Sequence, residues 1–269
     1  MHDTAQTMKI TGARFPGRYI QATGLIARLG VETKSLGTNG FAILDCALAE
    51  MLEIEMTAGA GDDIALSFHT HGGECSEEEV EKLTALAKDG EIDVVIGAGG
   101  GKALDTAKVV AHNMGVPIVI IPTIAASDAP CSALAVVYRT DGTVAYDLFL
   151  PRNPDLVLVD TAIVAKAPAR YLAAGIGDAL ATFYEAESSR IAEAPNCWGT
   201  YASPALERVV EANILLSGAG FESGGVAGAH AIHHGLCELD DVHHHLHGEK
   251  VAIGVLAMLL IHGQQEEYE

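Results

Sequence analysis

The feature that most constrains this chain is a glycine turn between an apolar run and a helical pattern. The run spans Ile92–Ile96, the turn reads Gly97-Ala98-Gly99-Gly100-Gly101-Lys102, and the pattern spans Ala103–Met114. A buried strand that enters such a turn suits phosphate binding, because glycines let backbone N–H groups approach an anion at the positive end of a helix dipole. The spacing is neither that of a Walker A loop nor that of GxGxxG, and an ordinary tight turn is the alternative.

Apolar runs and helical patterns alternate on both sides of this turn. The pattern predicts a helix that begins at Ser76, with Glu79 completing a capping box, and strands at Phe41–Asp45 and Ile118–Ile121. Further strand candidates are Ile64–Phe68, Ala133–Tyr138, Ala145–Leu150 and Leu156–Val159. Alternation at this spacing predicts an α/β layer in which helices connect the strands of a parallel sheet.

The pattern changes after Asp160, where strand signals stop. Helical patterns continue from Ala169 to the end of the sequence, apart from a loop-like stretch at residues 192–202. We therefore predict a Rossmann-like α/β nucleotide-binding domain over residues 1–163 and an all-α domain over residues 164–269.

Composition excludes several classes of partner. The net charge of −20 argues against nucleic acid and anionic membranes, because both bind basic surfaces. The most apolar segment, Val251–Ile261, is too short to span a membrane. Five cysteines without CxxC spacing favour a reducing, cytoplasmic location over a disulfide framework.

Three charged residues are candidates for nucleotide binding, two of them at the start of the helix that follows the glycine turn. Lys102 could reach a phosphate, and Asp105 could equally be a first-turn acid that suits the helix dipole. Asp45 follows an early strand, where a carboxylate often accepts hydrogen bonds from a ribose, although a loop or cap role is the alternative.

The second half contains seven histidines between His230 and His247. Such density indicates metal binding, because neutral imidazole is the commonest metal ligand among side chains. His230 lies among small apolar residues, and His247 precedes an apolar helix, whereas the triplet 243–245 reads as a solvated loop. Asp178 is the best carboxylate to complete a site, because an acid in so apolar a helix is costly unless it is paired or binds a cation; capping a helix after Gly177 is the alternative.

Several blocks of sequence, in one order, resemble the glycerol dehydrogenase family, within the superfamily of iron-containing alcohol dehydrogenases and dehydroquinate synthase. The blocks are Pro16–Gln21, Gly72–Ser76, Gly97–Lys102 with Asp105–Lys108, Pro122–Leu134, Ala173–Leu180, Pro204–Arg208, Gly220–Gly225 and the histidine cluster with Gly248–Ala252. The resemblance implies an N-terminal nucleotide domain, a C-terminal helical metal domain, and metal-assisted hydride transfer from a small polyol, glycerol or another vicinal diol, to NAD.

The resemblance also implies roles for individual residues. Asp178, His230 and His247 would bind the metal, and Asp128 would contact the substrate hydroxyls. The NAD site would be lined by Asp45, Gly99, Gly100, Gly101, Lys102, Asp105, Thr123, Ser132, Leu134 and Tyr138. A proton relay through a histidine such as His243 or His244 is a further expectation.

The expected metal is Zn²⁺ rather than Fe²⁺. Iron-type relatives carry a histidine four residues after the aspartate, and Thr182 stands there in this chain. Three protein ligands with an open position suit Zn²⁺, although Fe²⁺ also accepts two histidines and a carboxylate.

Three departures from the family pattern leave other functions open. Ala126 replaces a Ser or Thr near the NAD, the interval from Asp178 to His230 is short, and the sequence stops before the family's last helices. A shortened, catalytically silent protein that binds NAD or metal is therefore one alternative. Another is a superfamily member that acts on a phosphorylated polyol, although no basic cluster surrounds Asp128. The resemblance also implies a homo-oligomer.

Overall fold

A six-stranded parallel β-sheet forms the first part of the structure. The computed structural model describes residues 9–10, 12–139, 141–201, 228–242 and 245–261. The strands are β1 (Tyr19–Ala22), β2 (Asn39–Leu44), β3 (Ala65–Thr70), β4 (Val94–Gly99), β5 (Ile118–Pro122), β6 (Leu134–Tyr138), β7 (Val144–Phe149) and β8 (Leu156–Asp160). The order in the sheet is β1-β8-β5-β4-β2-β3, and β6 and β7 form a separate antiparallel pair.

Helices cover both faces of the sheet and make up the second part of the described chain. They are α1 (Leu29–Thr33), α2 (Ala49–Ala60), α3 (Glu77–Lys88), α4 (Gly101–Met114), α5 (Thr161–Lys166), α6 (Ala169–Ile191), α7 (Gly228–Cys237) and α8 (His247–Ile261), with 3₁₀ turns at Leu25–Arg28 and Asp240–Val242. No helix in the described part of the chain is both long and apolar enough to cross a membrane.

The core lies on the two faces of the central strands. Every residue of β4 and β5 is buried, as expected for strands covered by helices on both sides. Ile96 packs in the cluster that contains Met56 of α2, whereas Val95, which points to the opposite face, packs in the cluster that contains Leu104 of α4. This alternation is why β4 reads as a continuous apolar run in the sequence.

The predicted α/β fold class is confirmed, and the predicted strands appear within a few residues of their expected bounds. Ser76 caps α3 by accepting a hydrogen bond from the Glu79 N–H at 3.3 Å, while the Glu79 carboxylate binds the Gly72 N–H at 2.8 Å instead of returning to Ser76. Strand β1 was not anticipated, because as an edge strand its residues are mostly exposed and lack an apolar pattern.

Gly30 has a different role from the helix stop that its position suggests. It lies inside α1, where a Cβ would stand 2.2 Å from the Ala60 carbonyl oxygen. The glycine is therefore required by the close approach of α1 to the end of α2.

Close helix packing also organises the second part of the structure. A Cβ on Gly175 would lie 2.2 Å from the Ala125 carbonyl oxygen, and one on Gly248 would lie 2.1 Å from that of Ala174. A Cβ on Gly254 would lie 2.4 Å from the Ala229 oxygen. Small residues therefore let α6 approach the loop after β5 and let α8 approach both α6 and α7. The predicted domain division at residue 163 falls within α5 and stays a prediction.

Candidate metal and nucleotide site

Asp178, His230 and His247 meet at one point between α6, α7 and α8. Asp178 Oδ1 lies 3.1 Å from His247 Nε2 and 3.7 Å from His230 Nε2, and one ligand atom from each residue lies within 4.8 Å of the others. Asp178 is 1% exposed, and its Oδ1 has no hydrogen bond of ordinary geometry within the described part of the chain. A buried carboxylate oxygen left in this state, beside two imidazole nitrogens, has the chemistry of a cation site.

The other oxygen of Asp178 is held by the backbone. Asp178 Oδ2 accepts a hydrogen bond from the Asp128 N–H at 3.0 Å, which ties the loop after β5 to α6. Burial alone would raise the pKa of Asp178, but His247, His230 and the Asp128 N–H lower it. Burial and the Asp178 charge raise the pKa of the half-buried Asp128 side chain. The two carboxylates are thus electrostatically linked, with Asp178 the more easily ionised.

His230 is oriented by a carboxylate that sequence reasoning did not select. Glu185 is fully buried; its Oε1 accepts the His230 backbone N–H at 2.8 Å, and its Oε2 lies 2.7 Å from His230 Nδ1. Burial alone would lower the pKa of His230, but Glu185 and then Asp178 raise it to about 9. The available signal in the sequence was the spacing of seven residues between Asp178 and Glu185, which puts both on one face of α6.

His247 has a different neighbour, the imidazole of His233. His247 Nδ1 lies 3.1 Å from His233 Nε2, and the rings meet edge to face with centroids 4.3 Å apart. Burial, followed by the neighbouring His247, His234, His230 and Lys250, holds the pKa of His233 far below its usual value. His233 Nε2 also lies 3.4 Å from Cys237 Sγ, which in turn lies 3.5 Å from Lys250 Nζ.

The glycine turn lies at the carboxyl end of β4, as the sequence predicts. A Cβ on Gly97 would lie 2.5 Å from Ala107 Cβ, and one on Gly99 would lie 2.7 Å from Asp45 Cβ. These two glycines let α4 and the end of β2 pack against the turn. Gly100 precedes α4 without a side-chain cap, and a Cβ on Gly101 would meet only ordinary contacts. The first N–H groups of α4 are thus available to an anion.

Polar side chains surround this helix start. Asp45 Oδ2 lies 3.5 Å from the Gly100 N, and Lys102 Nζ lies 2.6 Å from Glu74 Oε2 and 5.2 Å from the centroid of the Tyr138 ring. Burial raises the pKa of Tyr138 well above its usual value. Thr123 is buried after β5, and its N–H binds the Gly99 carbonyl at 3.0 Å.

Three other residues that were predicted to bind the nucleotide lie behind the start of α4, around the buried ammonium of Lys108. Asp105 Oδ1 lies 2.8 Å from Lys108 Nζ, and its Oδ2 accepts the Val136 N–H at 3.0 Å. Lys108 also donates to the Ser132 carbonyl oxygen at 3.3 Å and to that of Leu134. The structure therefore places Asp105, Ser132 and Leu134 in one buried network, and their assignment to NAD binding stays a prediction.

Other expectations concern residues that the structure does not describe. His243 and His244, the relay candidates, and the blocks Pro204–Arg208 and Gly220–Gly225 lie outside the described residues. Ala126, where the family carries Ser or Thr, lies beside the close contact between Ala125 and Gly175.

Known proteins resemble this chain in both sequence and structure. The sequence profile of the iron-containing alcohol dehydrogenase family matches residues 16–161. The glycerol dehydrogenase of Thermotoga maritima is 49% identical, over 94% of this chain and 78% of that protein. The glycerol dehydrogenase of Escherichia coli is 44% identical, over 91% of this chain and 76% of that protein.

A solved structure extends the similarity to the whole fold. The crystal structure of a probable glycerol dehydrogenase from Sinorhizobium meliloti superposes with a TM-score of 0.86 at 40% identity, and covers 94% of this chain and 78% of that one. Sequence identity at this level, over this share of both chains, shows common descent as well as a common fold. The chain therefore belongs to the iron-containing alcohol dehydrogenase family, and within it to the glycerol dehydrogenases.

Proposed function

We propose that this chain oxidises glycerol, or a similar small vicinal diol, to the hydroxyketone with NAD and a divalent cation. The observation that carries the proposal is the meeting of Asp178, His230 and His247 beside Asp128, in a chain that is 49% identical to a glycerol dehydrogenase.

The three candidate ligands fit a divalent cation. In a tetrahedral zinc site with bonds of about 2.0–2.1 Å, ligand atoms lie about 3.3 Å apart. The distances from Asp178 Oδ1 to the two histidine nitrogens, 3.1 and 3.7 Å, bracket that spacing. The Thr182 hydroxyl binds the Asp178 carbonyl oxygen at 3.3 Å. Because its side chain is used in that bond, the described residues supply three ligands and leave a position open, which favours Zn²⁺ over Fe²⁺.

The glycine turn fits the pyrophosphate of NAD. The uncapped start of α4 offers N–H donors, Lys102 supplies a positive charge, and Asp45 offers a carboxylate that can accept ribose hydroxyls. We assign the remaining predicted residues to the same site: Gly99, Gly100, Gly101, Thr123 and Tyr138 as its walls, and Asp105, Ser132 and Leu134 as the buried network behind them.

Each side chain of the site has a distinct task. When bound, the cation polarises a substrate hydroxyl as a Lewis acid and NAD accepts the hydride. Asp128 accepts a hydrogen bond from the neighbouring hydroxyl, which selects a vicinal diol and holds the carbinol carbon in place. Its backbone N–H meanwhile fixes Asp178.

A substrate comparison tests the proposal. The full chain, loaded with Zn²⁺, is assayed for NADH formation with glycerol, 1,2-propanediol and glycerol 1-phosphate. We expect turnover on the free diols, with no requirement for a phosphate group on the substrate. Lys108 is bonded to buried carbonyl oxygens and so cannot bind a substrate phosphate. A strict requirement for the phosphate would reject the polyol assignment. Stoichiometric zinc without turnover on any diol would favour the silent NAD- and metal-binding alternative.

Two further expectations belong with this proposal. We infer a homo-oligomer from the family resemblance and a cytoplasmic location from the five cysteines without CxxC spacing. Light scattering after size exclusion tests the first, and fractionation of the source cells tests the second.

A further inference from the structure

In both His230 and His247, one ring nitrogen faces Asp178 and the other contacts a second side chain. That second side chain differs between the two histidines. For His230 that partner is the carboxylate of Glu185. For His247 it is His233, which is 2% exposed and lies one turn after His230 on α7. A neutral imidazole can donate from one nitrogen only and accept at the other.

A cation at the proposed site requires the hydrogen bond between the two rings to run in one direction. If His247 Nε2 is to offer a lone pair to a cation beside Asp178, its proton must sit on Nδ1. His247 Nδ1 then donates, and His233 Nε2, 3.1 Å away, must accept. The reverse direction would leave the proton on His247 Nε2, which lies 3.1 Å from Asp178 Oδ1 and would close the ligand position.

We propose that His233 is a positioning residue for the metal site, accepting the His247 Nδ1–H and thereby holding the His247 Nε2 lone pair toward Asp178 and His230. The inference rests on the proposed metal site. It assigns to the chain a residue that touches neither cation nor substrate and acts through His247. It also links α7 to α8, because each helix contributes one ring of the pair.

Two polar substitutions of His233 test whether its side chain acts as a hydrogen-bond acceptor or only fills space. In His233→Gln the side-chain oxygen can occupy the place of Nε2, whereas the shorter amide of His233→Asn reaches only the place of Nδ1, which faces away from His247. His234→Gln is the control, because His234 is the next residue on α7 and its side chain is 40% exposed.

The measurement is Co²⁺ and Zn²⁺ affinity of the purified full-length variants, by competition with a chelator, together with the visible absorption of bound Co²⁺. We expect His233→Asn to weaken metal binding by about 10–100-fold and to alter the Co²⁺ spectrum. His233→Gln and His234→Gln should stay within about threefold of the unchanged protein. Thermal unfolding of the metal-free forms should be alike for Asn and Gln, so that a difference in affinity cannot come from folding.

Equal metal affinity of the Asn and Gln variants overturns the inference, whatever their common value, because an acceptor at the Nε2 position would then be irrelevant. Failure of the unchanged protein to bind Co²⁺ overturns the proposed metal site itself, and this inference with it. The two failures are therefore distinguishable.

Discussion

Glu185 contacts His230 at two points. Its Oε1 accepts a hydrogen bond from the His230 backbone N–H, and its Oε2 faces His230 Nδ1. Glu185 is fully buried and the His230 side chain is 15% exposed, so the two contacts restrain rotation of the ring and limit the exchange of its partner for water. A ligand histidine held in this way loses little freedom when a cation arrives, because its orientation and tautomer are already set.

We expect Glu185→Gln to lower metal affinity by about 10–100-fold, because the amide keeps the shape but loses the charge that favours an Nδ1–H. Isothermal titration with Zn²⁺ provides the measurement. Glu187→Gln is the matched control, since Glu187 lies on the same helix and pairs with Arg190 away from the site. Equal affinities for the two variants would show that the Glu185 charge does not act on the metal.

Substitution of the Asp128 side chain should impair the use of substrate without impairing metal binding. The side chain is assigned to the substrate, whereas the Asp128 backbone N–H holds Asp178. We expect Asp128→Asn to reduce kcat/KM for glycerol by about 10²-fold or more, while the zinc content stays unchanged. Steady-state kinetics and metal analysis on the same preparation check both halves, and loss of zinc in parallel with activity would contradict the division of roles.

Lys102→Ala should weaken NAD binding by about 10–100-fold, the effect of losing a charge-assisted hydrogen bond to a phosphate. Lys82→Ala removes a comparable exposed lysine paired with Glu79 on α3 and should change nothing. Calorimetry with NAD distinguishes them. An unchanged affinity for Lys102→Ala would leave the α4 backbone as the main phosphate donor.

Two glycine-to-alanine substitutions should change the free energy of unfolding in opposite directions. Both Gly175 and Gly235 lie within helices, where alanine is favoured by up to about 1 kcal/mol. At Gly235 no atom lies within 4 Å of the added Cβ, so the variant should be as stable as the parent or more so. At Gly175 the Cβ would stand 2.2 Å from the Ala125 oxygen, so we expect a loss of about 1–3 kcal/mol. Urea unfolding measures both, and stabilisation at Gly175 would refute the close contact.

Asp160 should make stability depend on pH. Its buried carboxylate accepts N–H bonds from Gly24, Ile26 and Ala162 at 2.9–3.0 Å, and these bonds, against the cost of burial, lower its pKa. A group with a depressed folded pKa contributes stability that is present above its unfolded pKa, about 3.9, and is lost as the pH falls through the folded value.

We therefore expect Asp160→Asn to cost about 1–3 kcal/mol near neutral pH, because its NH₂ group would face a backbone donor. The difference from the unchanged protein should shrink progressively below about pH 4. Asp89→Asn, at the exposed end of α3, is the control. A cost that does not vary with pH would assign the effect to packing rather than charge.

Much of the fold could be predicted because the buried strands have a distinctive pattern. Central strands such as β4 and β5 are apolar throughout, and the glycine turn marks the start of α4. The edge strand β1 carries no such pattern, because solvent rather than a helix covers most of its residues. Gly30 could not be interpreted from local sequence either, since what requires it is the Ala60 carbonyl on another element.

The meeting of Asp178, His230 and His247 could be anticipated because polar residues in apolar surroundings are conspicuous, as with Asp178 among small residues. The supporting residues could not. Glu185 is followed by polar neighbours, and His233 stands beside His234, so nothing local distinguishes the buried histidine from the half-exposed one. Only the packing of α7 against α6 and α8 makes that distinction.

Buried Lys108 connects two parts of the proposed site. Its ammonium donates hydrogen bonds to the carbonyl oxygens of Ala129, Ser132 and Leu134, and it is covalently part of α4. These bonds join α4, the helix proposed to receive the dinucleotide, to the loop that carries Asp128. The Asp128 N–H joins the same loop to Asp178 on α6, so a shift of this loop would alter the proposed positions of cofactor, diol and metal together.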